Sequence, residues 1–340
     1  MPRITLIPGD GIGPSIVEAT TQVIDATGVR IDWDRQLAGM AAVEHSGDPL
    51  PQATLDSIRT NRLCLKGPLT TPVGGGYRSV NVTLRQEFNL YANVRPAVSF
   101  EGTDTIFKNV NLMTVRENTE GLYAGIEHFI KVDGEKIAAE SVAVVTRKGC
   151  ERIIRYAFDY ARKAQRNKVT LVHKANILKC TSGLFLEIGR DIAKEYPDIA
   201  FDDRIVDACC MQLVMKPESF DVIVTTNLFG DILSDLAAGL IGGLGLTAGA
   251  NIGVDAAIFE AVHGSAPDIA DKGIANPTAM ILAGAMMLEH IGELGAARKI
   301  EQAVRDVIKA GENVTPDIKP GSGHGTKDIA AAIVARVRSL

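Results

Sequence analysis

The chain has 340 residues, of which 46% are hydrophobic and 23% are charged, and its formal net charge at pH 7 is −5. A chain of this length and composition can form one large domain, or two closely packed domains, with a sizeable core. The negative balance argues against a nucleic-acid or general anionic-surface binder, because such proteins normally present a basic face.

Nothing in the sequence predicts secretion or membrane insertion. The N-terminus passes from Met1-Pro2-Arg3 directly into an apolar strand, without a signal-peptide layout. The apolar run at residues 279–288 has about half the length that a bilayer span requires. The five cysteines are an odd number without a C-x-x-C spacing, and we interpret Cys209 and Cys210 as buried neighbours. We expect a cytoplasmic protein of a reducing compartment that does not bind membranes.

The order of elements predicts an α/β protein with largely parallel strand pairing. Residues 3–7 predict a strand, Pro14 begins a helical pattern through about Thr27, and residues 29–34 predict the next strand. The alternation returns at residues 169–173, at 220–226 and at a helix beginning near Ile232. A polar turn at residues 131–136 between two extended runs predicts a hairpin arm. The last seventy residues are predicted to be mostly helical, at 278–290 and 296–310.

The glycine loop at residues 8–14 (PGDGIGP) resembles a dinucleotide-binding motif, because acidic residues follow about 20 positions later. Its spacing, however, is G-x-G-x-G, and Pro14 stands where the helix should approach a pyrophosphate. We therefore interpret the loop as a tight strand-to-helix turn that borders the cofactor, and not as part of a Rossmann domain.

Three arginines could form a carboxylate site. Ser79 can cap a helix in which Asn81 and Arg85, at i and i+4, share a face. Arg95 precedes a proline and is therefore extended, and Arg116 follows the predicted strand at 110–115. Arginine suits bidentate carboxylate binding, so three of them converging would bind a di- or tricarboxylate. Spacing alone leaves ordinary surface ion pairs equally open.

Two aspartates and a lysine have alternative interpretations. Asp231 and Asp235 stack on one face of a predicted helix start, where like charges repel by roughly 0.2–0.5 kcal/mol. Either the positive end of the helix dipole or a divalent cation could offset the repulsion between the two carboxylates. Lys174 follows a strand that reads as buried, and such a lysine can be simply solvent-exposed or can serve as a base.

Four short motifs together resemble the isocitrate/isopropylmalate dehydrogenase family. They are residues 66–71 (KGPLTT), 79–81 (SVN) with Arg85, 91–96 (YANVRP) and 116–121 (RENTEG) with Tyr123. The resemblance extends essentially from end to end and is closest to the NAD-linked isocitrate branch. It implies a bilobed α/β fold on a mixed sheet, with a large domain at 1–95 and 245–340. The small domain would be 96–244, including an arm at about 126–147 that clasps a second subunit.

The resemblance also implies roles for individual residues. Five would bind the substrate carboxylates: Ser79, Asn81, Arg85, Arg95 and Arg116. Tyr123 and Lys174 would be the catalytic acid and base, and Asp207, Asp231 and Asp235 would ligate Mg²⁺ or Mn²⁺. Lys174 and Asp207, which is also counted as catalytic, would act from the neighbouring subunit, so a homo-oligomer of at least two chains is expected.

The cofactor residues implied by the resemblance are Thr70, Asn176, His263, Gly264, Ala266, Asp268, Ile269 and Asn276. Asp268 favours NAD, because a carboxylate accepts hydrogen bonds from both ribose hydroxyls and repels a 2′-phosphate. NADP-linked members carry a lysine and a tyrosine in place of Asp268 and Ile269.

The expected activity is NAD-dependent oxidative decarboxylation of isocitrate to 2-oxoglutarate and CO₂, through oxalosuccinate chelated by the metal. Ser79 and Asn81 suit the γ-carboxylate of isocitrate. Homoisocitrate ranks second as substrate, because enzymes of that type generally lack the asparagine. 3-Isopropylmalate ranks third, because enzymes of that type carry apolar side chains in this stretch. The alternatives outside this activity are a non-catalytic regulatory subunit and a plain carboxylate-binding protein. The presence of all the expected catalytic, arginine and aspartate residues argues against both.

Overall fold

A computed structural model describes residues 1–71, 77 and 79–340. Its strands are β1 (Arg3–Ile7), β2 (Asp32–Arg35), β3 (Leu63–Lys66), β4 (Ala92–Val98), β5 (Asn111–Glu117), β6 (Glu127–Val132), β7 (Glu135–Ser141), β8 (Lys168–His173), β9 (Ala200–Ile205), β10 (Val222–Thr225), β11 (Ala248–Ile252) and β12 (Ala257–Ala261). Its α-helices are α1 (Gly13–Ala26), α2 (Met40–Ser46), α3 (Gln52–Asn61), α4 (Val80–Glu87), α5 (Arg147–Lys163), α6 (Thr181–Ala193), α7 (Val206–Met215), α8 (Asn227–Leu240), α9 (Thr278–His290), α10 (Leu294–Ala310) and α11 (Thr326–Ser339).

Ten strands form one mixed sheet in the order β2-β1-β3-β12-β11-β4-β5-β10-β8-β9. Pairing is parallel at both ends of the sheet, whereas β12, β11, β4 and β5 pair in antiparallel fashion in the middle. This mixed α/β architecture confirms the predicted fold class. Strands such as β10 are buried along their whole length because helices cover both faces of the sheet.

The central strands place two of the expected substrate arginines on one face. In the β4–β5 ladder Asn93 lies opposite Arg116, and Arg95 lies opposite Thr114. Since side chains alternate along a strand, these four residues share a face, and Val94 and Val115 point to the other. Helix α8 packs on β4 and β5. The arginines therefore lie under α8.

Several strand and helix boundaries differ from the predicted ones. Strand β2 begins at Asp32, where its pairing with β1 starts, and Arg116 lies inside β5 and not after it. Helix α8 begins at Asn227, more than a turn before Ile232, so Asp231 and Asp235 lie beyond its first turn. Compensation by the helix N-terminus is therefore the wrong interpretation of these aspartates.

Other predictions agree closely with the structure. Strand β1, the hairpin β6–β7 and helix α9 lie where the sequence placed them, and α10 begins two residues early. The hairpin turns at Asp133 and Gly134, whose φ angles of 50° and 84° suit a tight turn. Cys209 is buried and Cys210 half-buried on α7. No described helix is long and apolar enough to cross a membrane. The two-domain division stays a prediction, and its boundary at 95/96 falls inside β4.

Candidate active site

One face of helix α8 carries five residues that organise the candidate site: Asn227, Gly230, Asp231, Ser234 and Asp235. Their spacing of i, i+3, i+4, i+7 and i+8 aligns them along the helix. Because α8 packs on β4 and β5, this face lies against the arginines that those strands carry. The helix thus provides a polar surface for two guanidinium groups.

Arg116 is almost completely buried, with 1% of its surface exposed, and is held by three bonds to this face. Its Nε and Nη2 atoms donate to Asn227 Oδ1 at 2.9 and 2.7 Å, and its Nη1 atom donates to Asp231. Burial, with the neighbouring charges of Arg95 and Arg85, lowers the pKa of Arg116 to about 10. The side chain is therefore still a cation at neutral pH.

Arg95 is held by the next turn of the same helix. Its Nη1 atom donates to Ser234 Oγ at 2.7 Å and lies 3.4 Å from Asp235 Oδ1 and 3.6 Å from Asp231 Oδ1. Its Nε atom is buried and has no hydrogen-bond partner among the described residues. Burial is the main reason why the pKa of Arg95 is lowered. A buried donor without a partner favours an anionic ligand at this position.

Tyr123 and the two aspartates complete this cluster. The Tyr123 hydroxyl donates to Asp231 Oδ2 at 2.5 Å, and its ring lies 5.1 Å from the Arg116 guanidinium. Burial and the bond to Asp231 raise the pKa of Tyr123, so the phenol keeps its proton. Burial alone would raise the pKa of Asp231, but Arg116, Tyr123 and Arg95 together lower it. Burial and then Asp231 raise the pKa of Asp235 against the effect of Arg95.

A buried acid that the sequence analysis missed positions the third arginine. Arg85 Nη2 lies 3.6 Å from Glu260 Oε1, while Lys66 Nζ is 2.6 Å from Glu260 Oε2. Asn251 Nδ2 also donates to Glu260 at 2.7 Å. Burial would raise the pKa of Glu260, but Lys66 and Arg85 lower it to about 2. Lys66 is the first residue of the KGPLTT motif at 66–71, and a buried lysine there is the sequence feature that could have indicated an acidic partner.

Ser79 directly precedes α4, the short helix that carries Asn81 and Arg85 four residues apart. Ser79 occupies the N-cap position of α4, but its side chain makes no capping bond and accepts from Thr71 Oγ1 at 3.3 Å. The predicted cap by the Ser79 side chain is therefore wrong. Asn81 Oδ1 is buried with no partner among the described residues. Both side chains retain hydrogen-bonding capacity for a ligand.

Lys174 and Asp207 form a separate pair. Lys174 follows β8, Asp207 lies in the first turn of α7, and Nζ lies 2.5 Å from Asp207 Oδ1. The bond from Lys174 and the Asp207 backbone amide lower the pKa of Asp207. No described hydrogen bond or ion pair connects this pair to the Arg95–Arg116 cluster. One chain therefore brings Asp231 and Asp235 together without Asp207.

The aspartates fit part of a cation site. Asp231 and Asp235 offer hard carboxylate oxygens, and 57% of the Asp235 side chain is exposed. Within the described part of the chain, no three His, Cys, Asp or Glu side chains converge on a possible metal position. Mg²⁺ and Mn²⁺ prefer oxygen ligands and keep waters or substrate oxygens. The pair therefore suits such an ion as two of its ligands.

A cavity of about 500 Å³ lies where the cofactor residues were predicted. Five of the eight predicted residues line it: His263, Gly264, Ala266, Ile269 and Asn276. The glycine loop adds Ile12, and residues that the sequence did not reveal complete the walls: Gly245, Ile274, Ala275, Pro316 and Asp317. The last two are far away in sequence, and no motif links them to the rest.

The other three predicted cofactor residues do not line this cavity. Asp268 is exposed in a short 3₁₀ turn, Pro267–Ile269, next to the lining residue Ile269. Thr70 is connected to the loop through Ser265, with 2.8 Å between the two hydroxyl oxygens. Asn176 is exposed in the turn after β8. The structure therefore assembles only the loop residues at one cavity.

The cavity is chemically suited to a nucleoside. Its walls are mainly apolar, and His263 Nε2 is buried without a partner among the described residues. Burial lowers the pKa of His263, which is therefore a neutral imidazole at pH 7. Asn276 Nδ2 donates to Asp317 Oδ2 at 2.9 Å. Apolar walls with a few fixed polar groups are typical of cofactor sites.

The chain matches a known protein family and is similar in sequence to characterised proteins. Residues 3–333 match the family described as isocitrate/isopropylmalate dehydrogenase. The chain is 48% identical over 332 residues to isocitrate dehydrogenase (NAD) catalytic subunit 6, mitochondrial, of Arabidopsis thaliana, with 97% of this chain and 87% of that protein covered. It is 47% identical over 340 residues to isocitrate dehydrogenase (NAD) subunit alpha, mitochondrial, of Homo sapiens, with 99% and 91% covered.

A solved structure is also similar. The crystal structure of isocitrate dehydrogenase from Methylococcus capsulatus has a TM-score of 0.98 and 81% sequence identity. The comparison covers 99% of this chain and 100% of that one.

Proposed function

The chain belongs to the isocitrate/isopropylmalate dehydrogenase family, and we propose that it is an NAD-dependent isocitrate dehydrogenase. It would convert isocitrate and NAD⁺ to 2-oxoglutarate, CO₂ and NADH. The observation that carries this proposal is the arrangement of Arg95 and Arg116, buried on one face of α8 beside Asp231 and Asp235. The names of the similar proteins support the choice of substrate and cofactor.

The arginines suit a tricarboxylate. The charge of Arg85 lowers the pKa of Arg95, and the charges of Arg95 and Arg85 lower the pKa of Arg116. An anionic substrate would relieve this repulsion between the guanidinium groups. Ser79 and Asn81 offer polar atoms for a further carboxylate. An acid with an alkyl group in that place would leave these atoms without partners, and such losses discriminate strongly between substrates.

Asp231 and Asp235 would hold Mg²⁺ or Mn²⁺, with Asp207 of the partner subunit as a third carboxylate. When bound, the ion supplies Lewis-acid stabilisation of negative charge on the substrate oxygen at C2. Arg95 and Arg116 keep the two aspartates oriented, through Asp235 and Asp231 respectively.

The proton transfers use Lys174 and Tyr123. Lys174 accepts the proton of the C2 hydroxyl as hydride leaves C2 for the nicotinamide, which yields oxalosuccinate. This β-keto acid then loses CO₂ from the adjacent carbon. Tyr123, whose raised pKa keeps its hydroxyl protonated, gives a proton to that carbon. The products are 2-oxoglutarate, CO₂ and NADH.

A second copy of the chain would complete the site. Lys174 and Asp207 bond to each other and not to the arginine cluster, which supports their acting on the neighbouring subunit. The β6–β7 arm exposes Phe129 and Ile137 by 53% and 58%, which suits contact with another chain. Co-expressing Lys174→Met with Tyr123→Phe tests this arrangement, because each mixed dimer would contain one intact site. Activity should return to about a quarter of the wild-type level, and its absence would contradict shared sites.

The deciding experiment measures NADH formation by the purified chain with Mg²⁺ and isocitrate. Homoisocitrate and 3-isopropylmalate serve as comparison substrates, and NADP⁺ serves as the comparison cofactor. We expect fast reduction of NAD⁺ with isocitrate only, abolished by a chelator. Preference for another acid would contradict the substrate assignment. No activity with any acid would instead indicate a non-catalytic subunit.

A further inference from the structure

His173 is the last residue of β8 and directly precedes Lys174. It is buried, with 5% of its surface exposed, although it stands next to a lysine that reaches outward. Strand β8 pairs in parallel with β9, and His173 lies opposite Ile205. Asp207 follows two residues after Ile205. The ends of two neighbouring strands therefore lead to the two members of the Lys174–Asp207 pair.

Both ring nitrogens of His173 are engaged. The backbone N–H of Ala175 donates to Nδ1 at 3.0 Å, so Nδ1 carries the lone pair. Nε2 consequently carries the proton of the neutral ring and donates to Asp203 Oδ1 at 3.1 Å. Asp203 also accepts from Arg190 Nη2 at 3.1 Å, which orients the carboxylate. The ring thus connects the backbone after Lys174 to β9 and to α6.

We propose that His173 is a positioning residue for Lys174, and this inference rests on the proposed role of Lys174 as the base. The turn at Lys174 is fixed at three points. Ser182 Oγ accepts from the Lys174 N–H at 3.2 Å, Leu178 N–H donates to the Lys174 carbonyl at 2.8 Å, and His173 holds Ala175. Only His173 also reaches β9, the strand that leads to Asp207.

Positioning matters here because a lysine side chain has four rotatable bonds, so its amine can occupy many positions. The direction in which it leaves the backbone decides where Nζ can reach, and a shift of about 1 Å can lower a rate by about 100-fold. The bond from the Ala175 N–H to His173 Nδ1 holds the backbone directly after Lys174, and the 2.5 Å contact between Lys174 Nζ and Asp207 depends on the direction of that backbone. Loss of His173 therefore changes proton transfer more than substrate binding.

Two amide substitutions separate the two bonds of the ring. In His173→Asn the side-chain oxygen stands in place of Nδ1 and still accepts from Ala175, but the side chain is too short to reach Asp203. In His173→Gln the amide nitrogen stands in place of Nε2 and reaches Asp203, but the acceptor for Ala175 is lost. Asp203→Asn keeps an acceptor oxygen for His173 and removes the charge.

In steady-state assays with isocitrate, NAD⁺ and Mg²⁺, we expect His173→Gln to lower kcat by about 10- to 100-fold. The KM for isocitrate should stay within about threefold, and the solvent deuterium isotope effect on kcat should rise because proton transfer becomes slower. His173→Asn should retain kcat within about fivefold because it still accepts from Ala175, and Asp203→Asn should retain it within the same range. Thermal unfolding and the native mass verify that each variant is folded and assembled.

A readout independent of turnover is the rate at which acetic anhydride acylates Lys174, followed by mass spectrometry of peptides. This rate should rise in His173→Gln because the bond to Asp207 loosens, and it should rise less in His173→Asn. Wild-type labelling and wild-type kcat in His173→Gln would overturn the inference. Equal losses in both amide variants, together with lower melting temperatures, would also overturn it, because they indicate a general structural role. An inactive wild type with the expected labelling pattern would refute the proposed function alone.

Discussion

Gly230 lies directly against the side chain of Arg116. A Cβ atom at position 230 would stand 2.5 Å from Arg116 Cγ and 2.6 Å from its Cβ, closer than any side chain tolerates. The aliphatic part of Arg116 therefore crosses α8 at a glycine, where the helix has no side chain to block it. This close approach lets the guanidinium reach Asn227 and Asp231 on either side of the glycine.

We expect Gly230→Ala to displace Arg116 and to lower kcat/KM for isocitrate by about 10- to 100-fold. Steady-state kinetics measure this loss, which should fall mainly on KM because substrate binding is affected. Gly239→Ala in the same helix is the matched control, since a Cβ there meets nothing within 4 Å. The control should leave kinetics unchanged and gain up to about 1 kcal/mol of stability. Equal kinetics for the two variants would contradict the role of Gly230.

The ionisation of Glu260 makes stability depend on pH. Its pKa is about 2 in the folded protein against an ordinary value of 4.5, so the unfolded chain binds more protons between these values. Ionised Glu260 therefore adds about 3 kcal/mol to the free energy of unfolding above about pH 5, and this contribution is lost as the pH falls toward 2. Urea unfolding midpoints of the wild type should therefore fall steeply in this range.

Glu260→Gln tests that assignment. At pH 7 we expect the free energy of unfolding to fall by about 3–5 kcal/mol, because the Lys66 cation remains buried without its carboxylate partner. The difference in the free energy of unfolding between variant and wild type should narrow as pH falls, because protonation removes the charge of Glu260 that the variant already lacks. Glu312→Gln, at an exposed position, should follow the wild-type curve. A gap that stays constant from pH 7 to pH 3 would show that Glu260 ionisation contributes nothing.

Asp235 gives a prediction about the metal. Asp235→Asn keeps the side-chain size but removes a charged oxygen ligand, so the Mg²⁺ concentration for half-maximal activity should rise about 10- to 100-fold. Titration of Mg²⁺ into chelator-treated enzyme measures this concentration. Asp56→Asn, whose native side chain on α3 is 61% exposed, is the control and should not change it. An unchanged requirement in Asp235→Asn would exclude this residue as a ligand.

Asp268 gives a prediction about the cofactor. It is exposed next to Ile269, which lines the same cavity as His263 and Asn276, and we propose that the ribose of the cofactor lies at this edge of the cavity. Asp268→Asn should lower kcat/KM for NAD⁺ by about tenfold and raise it for NADP⁺, because the repulsion of a 2′-phosphate is removed. Asp271→Asn, exposed three residues further on, should change neither value. If both variants keep the wild-type ratio, another residue determines cofactor choice.

The sequence alone determined the local features of this protein. Strand β1, helix α9 and the β6–β7 hairpin were predictable because apolar periodicity and turn residues act over a few positions. The arginines and aspartates stood out for the same reason: their chemistry and their i, i+4 spacing are visible in the chain. The family motifs then gave each of them an expected role.

Only the tertiary structure decided which of these groups meet. Arg95 bonds to Ser234 and Asp235, about 140 residues away, and Lys66 on β3 pairs with Glu260 on the neighbouring strand β12. Asp317 lines the same cavity as His263 and Asn276, although no sequence motif links it to them. Such contacts depend on strand order and on which face of a strand is buried, and both are properties of the assembled sheet. Periodicity shows that a residue is buried, but only packing shows what it is buried against.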